Sequence, residues 1–247
     1  MNNFLKVLFN VGTKQFQSSG FFVENDKRIE NLKYGNWGSR PYEYFWASNI
    51  VSVKGKQVID LGVGIPSQHN WYMHVSRKLK PEYYIGIDAD ERIRNEEKKG
   101  KNFELRWMDM TNLEFKRESF HVAYCISVLE HLTIDQLYKS IAEIHRVLHD
   151  EGLLIVTLDE VWNISAPSHD WNVLEKDLIK NGLYQRTGKS FGFLEFLSLI
   201  EDYFIPCHSI NCMRVNSDPH VLHNKYWNSC VSYVLLRKRS STGKIKE

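Results

Sequence analysis

Apolar and polar positions alternate along the chain in a rhythm that changes twice. Residues 1–50 are rich in aromatic side chains (Phe21, Phe22, Tyr34, Trp37, Tyr42, Tyr44, Phe45, Trp46) and show little periodicity. From Lys56 a regular pattern begins. Lys56–Leu61 is a short β-branched run that meets a glycine turn at Gly62-Val63-Gly64, and Ser67–Lys80 follows with Trp71, Val75 and Leu79 on one helical face before Pro81 stops it. Tyr83–Asp88 reads as a second strand, Glu91–Lys99 as a charged helix closed by Gly100, and Phe103–Met108 and Phe120–Ile126 as a third and fourth strand. Thr133 to Gln136 has the form of a capping box, ahead of an apolar stripe at Ile134, Leu137, Ile141, Ile144 and Leu148. Gly152 breaks that helix before a fifth strand, Leu153–Leu158.

After residue 160 the rhythm loosens, with Pro167, Gly182 and Gly188 around a short helical stretch at Val173–Lys180. Phe191–Tyr203 reads as a helix. Tyr203–Ile210 and Ser229–Arg237 read as two strands joined by a polar loop, 211–228. Repeated strand–helix units with short connections imply a parallel sheet with helices on both faces, and the last two strands imply an antiparallel pair at its edge. The division this predicts is an aromatic N-terminal segment, 1–50, and one α/β domain, 51–247, with 161–190 and 211–228 as insertions.

A chain of 247 residues with 43% hydrophobic and 25% charged residues suits one well-buried core. The net charge of +2 offers no strong field for nucleic acid or an anionic membrane, and neither is expected as a partner. The basic ending, Arg237-Lys238-Arg239 followed by Lys244 and Lys246, reads as a solvated tail. None of the four cysteines forms a C-x-x-C pair, so neither a zinc nor a thioredoxin-like site is expected, and Cys125 within an apolar run reads as a buried thiol. Asp159, Glu160, His169 and Asp170 could together hold a divalent ion, but their spacing is not diagnostic, and no metal is expected. No apolar run of about 18 residues is present and the N-terminus lacks signal-peptide form, so the expectation is a cytoplasmic protein, monomeric or a homodimer.

In doubly wound sheets, ligands bind beyond the carboxyl ends of the strands, so polar residues at strand ends are the candidates. Asp60 precedes the Gly62-Val63-Gly64 turn, where a carboxylate would repel a pyrophosphate but suit an ammonium group. The glycine pattern is incomplete for a dinucleotide, since Ser67 stands where the third glycine would fall. A tight structural turn is the alternative. Asp88 ends the second strand, where a carboxylate accepts ribose hydroxyls; a solvated strand-end Asp is the alternative. Asp109, between Met108 and Met110, suits an adenine amino group with a methionine packed on the ring. Ser127, Glu130 and His131 interrupt an apolar junction after the fourth strand, and a simple Glu130–His131 pairing is the other explanation.

Five segments in this order resemble the class I S-adenosylmethionine-dependent methyltransferases: VIDLGVG at 58–64, YIGIDAD at 84–90, ELRWMDMTNLEF at 104–115, FHVAYCISVLEHL at 120–132 and EIHRVLHDEGLLIVT at 143–157. The resemblance implies a Rossmann-like, seven-stranded, mostly parallel sheet with an antiparallel last strand. It implies S-adenosylmethionine as cofactor, with Asp60, Gly62 and Gly64 around its methionine part, and Asp88 with Ala89 at the ribose. Asp109 and Met110 would lie at the adenine, and Ile126, Ser127 and His131 beside the sulfonium. One departure is Pro66, where the family often has a third glycine.

The acceptor implied is a small molecule. A hydroxyl acceptor needs a base, and the candidates are His131, His169 and Asp159. Trp37, Arg40, Tyr42 and Tyr44 of the aromatic segment, with Glu160 and Asp170 after the fifth strand, are candidate acceptor contacts. The segment Trp37 to Tyr44 resembles small methyltransferases of bacterial sugar or surface-glycan pathways. It reads either as a lid or as a plug at the sheet's edge.

Overall fold

The structure, a computed structural model, describes residues 40–163, 193–207, 211–215 and 227–240. Helix α1 (Arg40–Ile50) precedes β1 (Gln57–Leu61), which leads through the glycine turn into α2 (Trp71–His74), prolonged by a π-helical stretch at Val75–Leu79. Strand β2 (Tyr83–Asp88), a 3-10 turn (Glu91–Asn95), β3 (Lys98–Lys99), β4 (Phe103–Trp107) and β5 (Phe120–Ile126) follow. A 3-10 turn (Leu129–His131) then leads into α3 (Ile134–Val147), β6 (Leu148–Asn163), α4 (Phe193–Tyr203), β7 (Phe204–Pro206), β8 (Asn211–Val215) and β9 (Trp227–Lys238).

The sheet runs β3-β4-β2-β1-β5-β6-β9-β7, with β8 also paired to β9. Strands β4, β2, β1, β5 and β6 are parallel neighbours, and β9 is antiparallel to β6 and to β7. The expected seven strands are therefore present, with the last in the chain reversed. Two short strands extend this frame among the described residues. Strand β3 pairs antiparallel with β4, and β8 continues along the edge of β9 beyond β7.

Both faces of the sheet are covered, because successive side chains of each central strand point to opposite sides. Ile59, Ile85, Ala123 and Leu154 face α3 and α4, where Leu137, Ile141, Ile144, Phe196 and Ile200 bury fully or nearly so. Val58, Tyr84, Val122, Tyr124 and Ile155 face α1 and α2, meeting Tyr44, Ala47, Trp71 and Val75. Each buried Val, Leu, Ile or Phe among them contributes roughly 1.5–3 kcal/mol by leaving water. Helix α3 starts as expected: Thr133 accepts from Gln136 N, and the Gln136 side chain accepts from Thr133 N.

Several expectations need correction. Glu91–Lys99 is not a helix but a 3-10 turn and a short strand. Ile93 is its one fully buried residue, so a longer helix would have no apolar face to bury, while Asp90 caps the turn by accepting from Arg92 N. The helix expected from Ser67 begins at Trp71, because a turn closed onto Ile65 O by Gln68 N and His69 N comes first. The presumed loop 211–228 contains β8 at Asn211–Val215. The basic ending is not simply a tail: Lys238 lies in β9, nearly fully buried, and donates to Leu148 O at 2.7 Å. Cys125 is fully buried, as its surroundings suggested. No helix among the described residues is long and apolar enough to cross a membrane.

Candidate functional site

A cleft of about 380 Å³ opens above the carboxyl ends of β1, β2, β4 and β5, within the usual small-molecule range of roughly 300–1,000 Å³. The first wall is the loop after β1. Gly62 N and Val63 N both donate to Ile87 O, at 2.8 and 3.0 Å, folding the loop back over β2. Gly62 has φ +78° and Gly64 φ +73°, and a Cβ on Gly62 would sit 2.4 Å from Val128 Cγ2. Close approach and left-handed backbone both require glycine there. Gly62→Ala is therefore expected to lower stability by about 1–3 kcal/mol and to weaken ligand binding, which thermal unfolding with and without ligand would check.

Asp88 organises the same loop from β2. Its Oδ2 accepts from Gly64 N at 2.8 Å and its Oδ1 from Asp90 N at 2.9 Å. Asp109, after β4, accepts from Thr111 N at 2.8 Å and stands between the buried Met108 and Met110. Asp60 is the most enclosed of the three, only 1% exposed. The Tyr84 hydroxyl donates to Asp60 Oδ2 at 2.6 Å, reaching across Gly86 on the same face of β2. Burial pushes the Asp60 carboxyl up to about 7; the Tyr84 hydrogen bond opposes this and the Asp88 charge adds to it.

Helix α1 closes the opposite side. Tyr44 stacks on Trp71 with ring centroids 4.6 Å apart, and Tyr124 meets Trp71 edge-on. Burial raises the Tyr44 and Tyr124 hydroxyls well above their ordinary range, so both stay protonated. Two ring nitrogens of cleft-lining residues, His69 Nδ1 and Trp71 Nε1, are buried without a hydrogen-bond partner. Burial, with the nearby Arg40 charge, lowers the His69 pKa, so its neutral form is favoured. Below them, Ser127 leaves β5 with φ +49°, while its N–H donates to Thr157 O and Oγ1, each at 3.0 Å.

The ten residues expected at the cofactor, Asp60, Gly62, Gly64, Asp88, Ala89, Asp109, Met110, Ile126, Ser127 and His131, all border this one cleft, and Arg40 and Tyr44 join them. His131 is exposed at the rim. Tyr42 lies in α1 and Asp159 and Glu160 in β6, with only their backbone described; Trp37, His169 and Asp170 fall outside the described residues. Glu43, His69, Trp71 and Thr157 were not singled out from sequence. Glu43 carried one available signal, a lone acid among aromatic residues at helical spacing. Among the described residues no group of three or more His, Cys, Asp or Glu is placed to hold a metal ion.

Residues 59–156 match the family model described as a methyltransferase domain. The chain also shares its fold with a methyltransferase structure from Bacillus halodurans (13% identity, TM-score 0.58), covering 81% of this chain and 100% of that one. An S-adenosylmethionine-dependent methyltransferase from Mesorhizobium loti is similar (15% identity, TM-score 0.52, covering 81% of this chain and 98% of that one). So is the [4+2]-cyclase SpnF (16% identity, TM-score 0.54, covering 82% of this chain and 81% of that one). No curated protein matches the chain in sequence. The fold is thus the Rossmann-like methyltransferase fold. The domain match and the chemistry of the cleft support S-adenosylmethionine as its cofactor. A buried acid beside a glycine loop, two further strand-end acids and two partnerless ring nitrogens suit a ligand with an ammonium group, hydroxyls and acceptor atoms.

Proposed function

We propose that this protein is an S-adenosylmethionine-dependent methyltransferase acting on a small acceptor. The reading is carried by one observation: Asp60, Asp88 and Asp109, from three different strand ends, border a single cleft with a glycine loop on one side and the β5 turn on the other. In this reading Asp60, Gly62 and Gly64 receive the amino-acid end, and Asp88 with Ala89 takes the ribose hydroxyls. Asp109 and Met110 receive the adenine, while Ile126, Ser127 and His131 face the sulfur. When bound, the cofactor supplies a methyl group already activated on a cationic sulfur. The chain's own residues then have to align the acceptor with that methyl and keep water out. His131, exposed at the rim, is the base assigned for a hydroxyl acceptor, with His169 and Asp159 as the other candidates.

For the acceptor we propose a sugar, a sugar nucleotide or a phosphorylated metabolite. Support comes from the Trp37–Tyr44 segment and from Arg40, whose guanidinium charge reaches the cleft. A second reading, a related fold used without methyl transfer, is favoured by the likeness to a protein described as a cyclase. Methylation of RNA is disfavoured by the net charge of +2.

Calorimetric titration with S-adenosylmethionine and separately with NAD tests the cofactor, and label transfer from methyl-labelled cofactor to a panel of sugars and phosphorylated sugars tests the reaction. Micromolar binding of S-adenosylmethionine alone, followed by transfer, is expected. Tight binding with no transfer to any acceptor would favour the second reading, and absence of binding would overturn the proposal.

A further inference from the structure

The most enclosed charge in the described structure belongs to none of the groups assigned to the cofactor. Glu43, in the first turn of α1, is fully buried (0% exposed) and does not border the cleft. Its Oε2 accepts from Ser127 Oγ at 2.5 Å and from Thr157 Oγ1, residues 84 and 114 positions away in sequence. Arg40 Nη1 donates to both of its carboxylate oxygens, at 3.0 and 2.9 Å. One carboxylate therefore joins α1 to the end of β5 and to the middle of β6, and also holds Arg40, which does border the cleft.

The partners explain what this junction does. Ser127 is a non-glycine residue in the left-handed region, a conformation that persists only where surrounding contacts enforce it. Thr157 holds its backbone from one side, through its carbonyl and its hydroxyl. Glu43 holds its side chain from the other. The turn so fixed carries Ile126, Ser127 and Val128 to the cleft, and Val128 is the side chain that a Cβ on Gly62 would strike. A small shift of this turn would change both the floor of the cleft and its fit to the glycine loop.

We infer that Glu43 is a positioning residue: from outside the cleft, its carboxylate sets the Ile126–Val128 turn against the cofactor and aims Arg40 at the same ligand. This rests on reading the cleft as an S-adenosylmethionine site. Thr157 is the useful partner for a test, because it is fully buried and, like Glu43, does not border the cleft. Any effect of Thr157 on the ligand must travel through Ser127 and Glu43.

The test is calorimetric titration of S-adenosylmethionine into wild type, Glu43→Gln, Thr157→Val, Thr157→Ser and the Glu43→Gln/Thr157→Val double variant. It is run well below each melting temperature, with native circular dichroism as the condition for inclusion. Glu43→Gln and Thr157→Val are expected to weaken binding about tenfold each, because each breaks the same junction. Thr157→Ser, which keeps the hydroxyl, is expected to bind within about twofold of wild type, and the double variant to lose no more than about tenfold in total. Native-like variants that melt earlier yet bind as tightly as wild type would overturn the inference, as would fully additive losses. Failure of the wild type itself to bind would instead strike the cofactor reading on which the inference rests.

Discussion

Replacing Asp88 with alanine is expected to weaken S-adenosylmethionine binding by about 100-fold or more while leaving the sheet folded. Two losses combine in this variant. In the proposed reading the carboxylate accepts the ribose hydroxyls, and charge-assisted hydrogen bonds of that kind are worth about 1.5–3 kcal/mol each. The same carboxylate already accepts from Gly64 N and Asp90 N, so its removal also frees the glycine loop and the turn after β2. A loss of about 3 kcal/mol corresponds to a factor of roughly 100–200 in affinity. Asp88→Asn keeps one acceptor oxygen and should fall between the two. Calorimetry gives the affinities, and unchanged binding in the alanine variant would remove Asp88 from the site. The half-buried position of Asp88 at the sheet's end implies only a modest drop in melting temperature.

The second large effect concerns pH and Asp60. Burial holds this carboxyl at about 7 in the ligand-free fold, against 3.8 for an unperturbed side chain. The folded state therefore binds more protons than the unfolded chain between those values, and stability falls as pH rises through this window. The stabilising contribution of the bound proton is fully present below about 3.8 and lost above about 7, amounting to about 4 kcal/mol. Asp60→Asn has no such proton, so its melting temperature should gain on wild type as pH rises from about 4 to about 7. Parallel melting curves for the two proteins across that range would refute the buried-acid assignment.

Ligand binding should reverse this penalty. An ammonium group beside Asp60 favours the carboxylate, so binding near pH 7 expels a proton from the fraction that still carries one. Affinity should rise about fivefold between about pH 6 and pH 7, below the range of about 7.7–8.0 where an α-amino group itself deprotonates. Calorimetry in two buffers of different ionisation enthalpy measures the proton release directly. Asp60→Asn should bind more weakly and show neither the proton release nor this pH dependence.

Much of this was legible in the chain. The strand–helix rhythm from 56 to 158 needed only local periodicity and turn chemistry, because the central parallel strands are mostly apolar and α3 carries both a capping box and an apolar stripe. The strand-end acids were visible for a similar reason. A carboxylate at the end of an apolar run, next to a glycine turn, departs from what packing alone would select. Where the local signal is weak, packing and strand pairing decide the element. Glu91–Lys99 has charge but no apolar face, and Asn211–Val215 becomes a strand only through pairing with β9.

The sequence by itself determined which residues form the parallel sheet and which acids stand at its carboxyl edge, since both follow from patterns within ten or so neighbouring residues. The tertiary structure alone decided how those ends are held. Folding buries Asp60, and that burial pushes its carboxyl up to about 7 against the opposing hydrogen bond from Tyr84. Glu43 matters because folding brings Ser127 and Thr157, 84 and 114 residues away, onto its carboxylate. Burial and long-range hydrogen bonds are properties of the packed chain, and no local pattern encodes which distant partner will meet a given side chain.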